Sequence, residues 1–451
     1  MLEEDQARLA AEQCVDMALK QGASAADAAC IAESSIDVQV RLGALEDVQR
    51  SESAELGLRV FCGQQVASVS TTRFDEDSLQ SLAERAVDMA RAAPEDPYAR
   101  LAPDERLYQP GDNAINLDVD DSKAQWDAAS LRAMAEAAED AARSVKGVTN
   151  SEGGSVQAGG GLIALATSHG FAAAHRSSVF AMSASVLAGS GSDMQRDYAY
   201  HMARHLSDLE DAVSIGQRAG ARAVARMNPV TMKSGERPVV FDPRVGGSLV
   251  SHLMSALTGS AVARKASFLA DHLGEQIFSD AITIVDDPHR PRGLRSRLHD
   301  GEGVTAQQHR LIDKGVLTGW LLNSAAAAQL DMATSGHASR GSGGSPGISA
   351  TNVHIEPGSD SRETLIGDIA EGFYVTELIG MGVNAVTGDY SRGASGFAIR
   401  DGELAEPVSE VTIAGNLKQM FAEMVAADDL EMRRAVNVPT LRIDGMIVAG
   451  H

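Results

Sequence analysis

Between Val375 and Leu417 the chain reads VTELIGMGVNAVTGDYSRGASGFAIRDGELAEPVSEVTIAGNL, and no other stretch restricts the fold as much. Gly380, Gly382, Gly388, Gly393, Gly396 and Gly402 interrupt short apolar runs, as turns and close backbone approaches require. Within it, GFAIRDGELAEPV reads as a strand, an Asp401-Gly402 turn and a second strand, which is the strongest short-range hairpin signal. The stretch is therefore glycine-punctuated β structure.

The chain before it alternates helices with strands. A helix from Glu4 to Lys20 is ended by Gln21-Gly22. Strands follow at IDVQVRL, AELGLRVF and QVASVSTT, the last two joined around Gly63. Leu56, Leu58 and Val60 alternate with Gly57 and Arg59, the pattern of a half-buried strand. An amphipathic helix begins near Asp77-Ser78, carries Leu79, Leu82, Ala83, Ala86, Val87 and Ala90, and stops at Pro94 to Pro97. A polar, proline-containing connector runs to about Asp120. A second helix carries Trp126, Leu131, Met134, Ala138 and Val145. Two glycine-rich strands then flank a His169-Gly170 turn, and a third long helix is expected from Tyr200 to Met227.

These elements make an N-terminal α+β domain, residues 1–230, of two helix–strand–helix parts at about 1–100 and 115–230. Its helices pack on mixed or antiparallel sheets. A Pro- and Gly-bearing linker from Asn228 to Pro238 leads into a C-terminal domain, residues 231–451. There VVFDPRVGGSLVSHLMSALTG reads as a strand, a turn and a small-residue helix. The remainder is mostly antiparallel β structure, barrel-like, with a few helices and a hairpin at Asp313-Lys314-Gly315. RGSGGSPG, Arg340 to Gly347, marks a mobile or tightly turning loop. The fold class is α+β.

Formal net charge is −23, which opposes binding to nucleic acid or an anionic membrane, since both need clustered Lys and Arg. No apolar run approaches the length of a membrane span, and MLEEDQARLAAEQ is too acidic for a signal peptide. A cytoplasmic protein is expected. Cys14, Cys30 and Cys62 show no metal spacing and read as small buried hydrophobes.

Two motifs invite a catalytic reading. GGSPG places Ser345 in a formal G-x-S-x-G, yet no strand precedes it and no helix pattern follows it, so it reads as a loop. His201 and His205 form H-x-x-x-H on the expected third helix. Met202 occupies the position where a zincin carries its glutamate, and neither Asp197 nor Asp208 is placed as a third ligand by any motif.

LATSHGF with GSDMQRDYAYH (Leu165 to His201), FDPRVGGSL (Phe241 to Leu249) and the stretch from Val375 resemble the TldD/PmbA family, modulators of peptide processing and proteolysis. The resemblance spans essentially the whole chain and is closest to the PmbA/TldE branch. It departs at Lys265-Ala266, where the family often shows Gly-Thr. In the TldD branch, the helix after FDPRVGG carries H-E-x-x-x-H, and a cysteine near the C-terminus completes a metal site. Registering the flanks puts Val250 and Ser251 at the His-Glu positions, Ser255 at the second histidine and Val438 near the cysteine. A catalytic zinc needs three protein ligands and a base for its water, and these side chains offer neither.

The resemblance thus implies a non-catalytic subunit without metal, with zinc in a TldD-like partner, the two together cleaving unfolded or extended peptides, including peptide-antibiotic precursors. His252 lacks a partner at helical spacing and reads as a core or interface residue. Extended peptides are held through backbone hydrogen bonds to strand edges or glycine-rich turns. That makes His252, Asn384, Thr387, Asp389, Tyr390 and Arg392 candidate contacts for peptide or partner. A homodimeric peptide-binding module is the alternative. An autonomous peptidase would need a nucleophile–base pair or metal triad, and none stands at proper spacing.

Overall fold

A computed structural model of the chain describes residues 2–109, 111 and 115–450. Of the connector, Pro110 and residues 112–114 lie outside the described residues. Six strands of the N-terminal half form one antiparallel sheet: β1 (Ala25–Arg41), β2 (Ala44–Cys62), β3 (Gln65–Thr71), β4 (Val148–Thr167), β5 (Ala172–Ala188) and β6 (Gln195–Ala203), in the order β3-β2-β1-β4-β5-β6. β1 begins at Ala25 rather than Ile36. Its alanine-rich start has little intrinsic strand preference, but Ala26, Ala28, Cys30 and Ala32 alternate into a core, and that packing decides the conformation.

One face of this sheet carries two helix pairs. α1 (Glu4–Lys20) ends at Gln21, with Gly22 in the left-handed region, and packs beside α2 (Glu76–Ala92), whose first turn is capped by Asp75. α3 (Ala128–Arg143) and α4 (Ala212–Ala225) cover the other end of the long strands. α3 is shorter than expected: Asp127 caps it through the Ser130 N–H, leaving Trp126 and Val145 outside. The third long helix is overturned in its first part. Residues 195–203 are strand β6, Leu206–Asp208 is a short 3-10 turn, and helix resumes only at Ala212. Asp197, Ala199 and Ala203 point into the core while Tyr198, Tyr200 and Met202 point out, so the period is two. Cys14 and Cys30 are buried in the first core, and burial pushes their thiols up to about 12 and about 11.

The C-terminal half is built on a closed barrel. Its strands are β7 (Gly235–Phe241), β14 (Glu371–Ile379), β15 (Asp389–Arg400), β16 (Glu403–Asn416) and β19 (Leu441–Ala449), with β17 (Met424–Ala426) beyond β19. Pairing of Thr412 with Ala449 and of Ala414 with Ile447 joins β16 to β19 and closes the ring. The Asp401-Gly402 turn links β15 to β16 with both residues at positive φ, 49° and 81°, as a type I′ hairpin requires. A smaller sheet of β8 (Ile284–Asp286), β9 (His309–Asp313), β10 (Val316–Leu317), β13 (Val353–Ile355) and β18 (Val436–Asn437) flanks it. The RGSGGSPG loop spans β11 (Ala338–Ser339) and β12 (Gly347–Ile348). Helix α5 (Pro243–Ala256) leaves the end of β7 and buries Leu249, Val250 and Leu253 in the largest core, about 2 kcal/mol for each side chain of that size.

The free face of the N-terminal sheet rests on this half. Ala29, Leu165 and Phe171 meet Leu107 and Val304. Beside them, Asp27 and Arg59 from the sheet meet Arg340 and Glu302 from the C-terminal half, all at most 4% exposed. Gly57 lies so close to the loop that a Cβ there would sit 1.5 Å from the Ser342 carbonyl oxygen. No helix among the described residues is long and apolar enough to cross a membrane.

Candidate functional site

The helix onto which the resemblance registers the metal motif is α5 (Pro243–Ala256). Asp242 caps it, accepting from the Arg244 N–H at 2.9 Å, and Pro243 occupies the first helical position. Gly246 lets the C-terminal segment approach: a Cβ there would stand 3.0 Å from a methyl of Val438. Val250, one turn on, and Val438 are each 2% exposed and belong to the same core. Ser251 and Ser255 lie on the exposed face, their hydroxyls donating to the Gly247 and Ser251 carbonyls at 3.0 Å. Two hydrocarbon side chains and two hydroxyls committed to the helix backbone do not fit a catalytic zinc. Among the described residues no group of three His, Cys, Asp or Glu side chains is arranged to hold a metal.

The candidate contact residues divide into two places. Asn384, Thr387 and Asp389 build the turn between β14 and β15. The Asn384 side chain accepts from the Val386 N–H at 2.9 Å, and the Thr387 hydroxyl donates to Asp389 at 2.6 Å. The tip of that turn is apolar and open, with Ile379, Met381 and Val386 59%, 93% and 57% exposed. His252, Tyr390 and Arg392 instead gather beside α5. The His252 ring stands edge-on to Tyr390, centroids 6.1 Å apart. His252 Nε2, the Tyr390 hydroxyl and Arg392 Nε are all buried without a hydrogen-bond partner in the protein. Burial, and then the Arg392 charge, lower the His252 pKa and keep the ring neutral, while burial raises Tyr390 to about 12.

Arg392 and Ser251 open into a cleft of about 620 Å3 between the two halves. Tyr198, Tyr200 and Met202 of β6 form one wall, and Gly247, Ser248, Ser251 and the Thr376–Leu378 end of β14 form the other. The cleft continues past Tyr198, Tyr200, Arg244 and Arg434 into a second space of about 340 Å3. Six arginines line that end: Arg218, Arg222, Arg244, Arg362, Arg433 and Arg434.

Arg244 braces the walls. It grips Asp197 of β6 at 2.7 and 3.0 Å and donates to the Thr376 carbonyl at 2.6 Å. Burial would raise the Asp197 pKa, but the Arg244 hydrogen bonds and charge outweigh it and leave the carboxylate below its ordinary range. Glu210 holds Arg218 at 2.7 Å and Arg433 at 3.0 Å, and the Arg218 bonds chiefly draw it down to about 2.

The two histidines read as H-x-x-x-H do not share a helix. His201 lies on β6, its Nδ1 accepting from the Glu210 N–H at 3.1 Å, and its pKa is lowered by burial and then by Arg433. His205 lies beyond the end of β6 and bonds the Asp118 carbonyl at 2.9 Å. Asp197 is taken by Arg244 and Asp208 by Arg292, so none of the four can join a metal site. Ser345 sits exposed in the loop between β11 and β12.

Sequence reasoning missed two arrangements. One is the arginine end itself, whose members come from α4, α5, a short helix at Arg362–Gly367 and the approach to β18, segments far apart in the chain. The other is a line of half-buried Ser335 with buried His337 and Asp286, His337 standing 2.8 Å from each neighbour. It looks like a proton relay, but the half-buried Ser335 hydroxyl already accepts from the Leu322 N–H at 2.7 Å and lies 3.1 Å from the Trp320 carbonyl, so the serine is committed to the backbone.

Residues 234–450 match the PmbA/TldA metallopeptidase C-terminal domain, residues 121–227 its central domain and residues 26–90 its domain 1. Metalloprotease PmbA of Escherichia coli O157:H7 is 35% identical over 443 residues, 97% of this chain and 96% of that protein. The PmbA homolog of Haemophilus influenzae is 34% identical and covers 100% of this chain and 97% of its own. A putative modulator of DNA gyrase from Bacteroides thetaiotaomicron superposes with a TM-score of 0.91 at 27% identity, over 100% of both chains. TldE from Thermococcus kodakarensis shares the fold, with a TM-score of 0.87 at 23% identity over 98% of this chain and 100% of that one. Matched along its whole length by relatives above 30% identity, the chain belongs to the PmbA/TldD family.

Proposed function

We propose that this chain is a TldE-like, non-catalytic subunit that pairs with a TldD-like metalloprotease, supplies a wall of the peptide chamber and leaves zinc chemistry to its partner. The substrates are unfolded or extended peptides, including peptide-antibiotic precursors, and the complex works in the cytoplasm. The observation that carries this reading is the donor set of α5. Its exposed face opens on a cleft large enough for a peptide segment, yet Val250, Ser251, Ser255 and Val438 supply no imidazole, carboxylate or thiolate.

Two further features support it. Only Phe373 to Val375 of β14 pair with β7, so Glu377 to Ile379 keep one backbone edge open, and Glu377 and Leu378 border the cleft, where an extended chain could add as a strand. The apolar tip of Ile379, Met381 and Val386 suits a protein partner better than water.

The test is to purify the chain alone and together with a TldD-like subunit, then measure bound zinc and cleavage of an unfolded peptide. Cleavage only in the mixture, weakened by Met381→Asp at fixed concentration, is expected. Stoichiometric zinc and cleavage by the chain alone would overturn the reading. A metal-free chain that binds peptide but never associates with the partner would instead establish a homodimeric or monomeric binding module.

A further inference from the structure

The arginine end of the cleft is a concentration of positive charge on a chain of formal net charge −23. Its arginines are not equally neutralised. Arg244 is matched by Asp197, Arg218 by Glu210, Arg433 by Glu431 as well as Glu210, and Arg362 by Glu363. Arg222 and Arg434 have no carboxylate within ion-pair distance among the described residues.

Arg222 gives one N–H to the Tyr198 carbonyl at 3.3 Å, and its remaining donors meet no protein acceptor. Arg434 gives one amino group to the Arg244 and Pro243 carbonyls, at 2.9 and 3.4 Å, and lies 5.3 Å over the Tyr200 ring. Tyr200 and those carbonyls fix its plane, leaving the outer donors of a rigid fork turned to the cleft. Burial, and then Arg244, depress the Arg222 pKa, the mark of a cation short of compensating negative charge. The carboxylates nearby are engaged elsewhere: Asp242 caps α5 and accepts from the Tyr374 hydroxyl at 3.0 Å, Asp197 is gripped by Arg244, Asp429 accepts from the Thr440 N–H and hydroxyl at 2.7 Å, and Glu431 pairs with Arg433 at 2.6 Å.

We propose that this end of the cleft binds the C-terminal carboxylate of a peptide, with Arg222 and Arg434 as its two anchoring cations. A planar carboxylate accepts two parallel hydrogen bonds from a guanidinium fork, and a partly buried site strengthens them. The rest of the peptide would run past Tyr198 and Tyr200 toward Ser251 and the open edge of β14, because the two spaces share Tyr198, Tyr200, Arg244, Arg433, Arg434 and Val436. The inference rests on the peptide-handling reading above and adds a direction and an end-group requirement to it.

The test uses the full chain and one fluorescent decapeptide prepared as the free acid and as the C-terminal amide, with anisotropy titrations at low salt. The acid is expected to bind about tenfold more tightly than the amide, the size of one charge-assisted contact. Arg222→Gln and Arg434→Gln should each erase that difference, bringing the acid down to the affinity that the same variant shows for the amide. Inorganic phosphate should compete with the acid only. Equal affinity for acid and amide on the unaltered protein would overturn the carboxylate site and leave the peptide reading standing. Absence of binding by either peptide would overturn the carboxylate site on this chain and leave the paired-subunit reading to the cleavage test above. Phosphate competing equally with the two forms would assign the pocket to a free anion and sink the proposal. The acid–amide comparison needs no variant, so it stands even where a substituted protein misfolds.

Discussion

Arg340, at the start of the glycine-rich loop, reaches Asp27 on β1 at 2.6 Å, with the two side chains 3% and 4% exposed. Asp27 also accepts from Arg59 Nε at 2.9 Å, and Arg59 lies 3.7 Å from Glu302. Two cations and two carboxylates thus neutralise one another away from water. Removing a single member leaves an uncompensated buried charge, which costs far more than the pair contributes.

Arg340→Met should therefore destabilise the protein by about 3 kcal/mol, read as a lower urea midpoint. The double variant Arg340→Met with Asp27→Asn should recover part of the loss. A single variant as stable as the parent would show that solvent enters the network.

Gly57→Ala tests the same junction through the backbone. The new methyl would overlap the Ser342 carbonyl at 1.5 Å, so the loop must move. Limited proteolysis should then cut between Gly341 and Ser345 at least several times faster than in the parent. Unchanged cleavage would mean that the strand, not the loop, yields.

The buried neighbours His299 and Asp300 have opposite pH dependence. Burial, then His175, lowers His299 from 6.5 to about 4, so its contribution is present above pH 6.5 and lost as pH falls through 4. Burial, then Glu302, raises Asp300 from 3.8 to about 7, so its contribution is present below 3.8 and lost as pH rises through 7. His299→Gln removes the first of these. Relative to the parent, that variant should gain stability as pH drops from 6.5 to 4, by at most about 1.4 kcal/mol per pH unit. Parallel urea-midpoint curves for the two proteins would refute the assignment.

Grafting the family motif should not restore chemistry by itself. Val250→His with Ser251→Glu and Ser255→His still lacks a third ligand, and the imidazole at 250 enters an apolar core at a cost of about 1–3 kcal/mol. Metal analysis after dialysis should find far less than one zinc per chain and negligible peptide cleavage. Only the further change Val438→Cys should retain the ion. A full zinc complement in the triple variant would contradict this.

Legibility in the sequence follows the range of the signal. α1 and the Asp401-Gly402 hairpin are readable because their caps and turn residues lie within a few positions of the elements they define. The helix expected from Tyr200 fails because the four-residue spacing of His201 and His205 imitates a helical period. The alternation of Asp197, Ala199 and Ala203 against Tyr198, Tyr200 and Met202 carries the correct one. At the site, Val250, Ser251 and Ser255 on α5 are singled out only by registering the flanking motifs. His252, Tyr390 and Arg392 are visible as candidates, but their meeting beside the cleft depends on β15 running past α5. The arginine end is invisible, since no local pattern links Arg222 to Arg434.

The Gly57–Ser342 approach and the Asp27–Arg340 pair lock the two halves at one end, and the grip of Arg244 on Asp197 locks them at the other. The cleft is thus pinned on both sides. Those contacts set the width of the cleft when the two halves pack, before any substrate arrives.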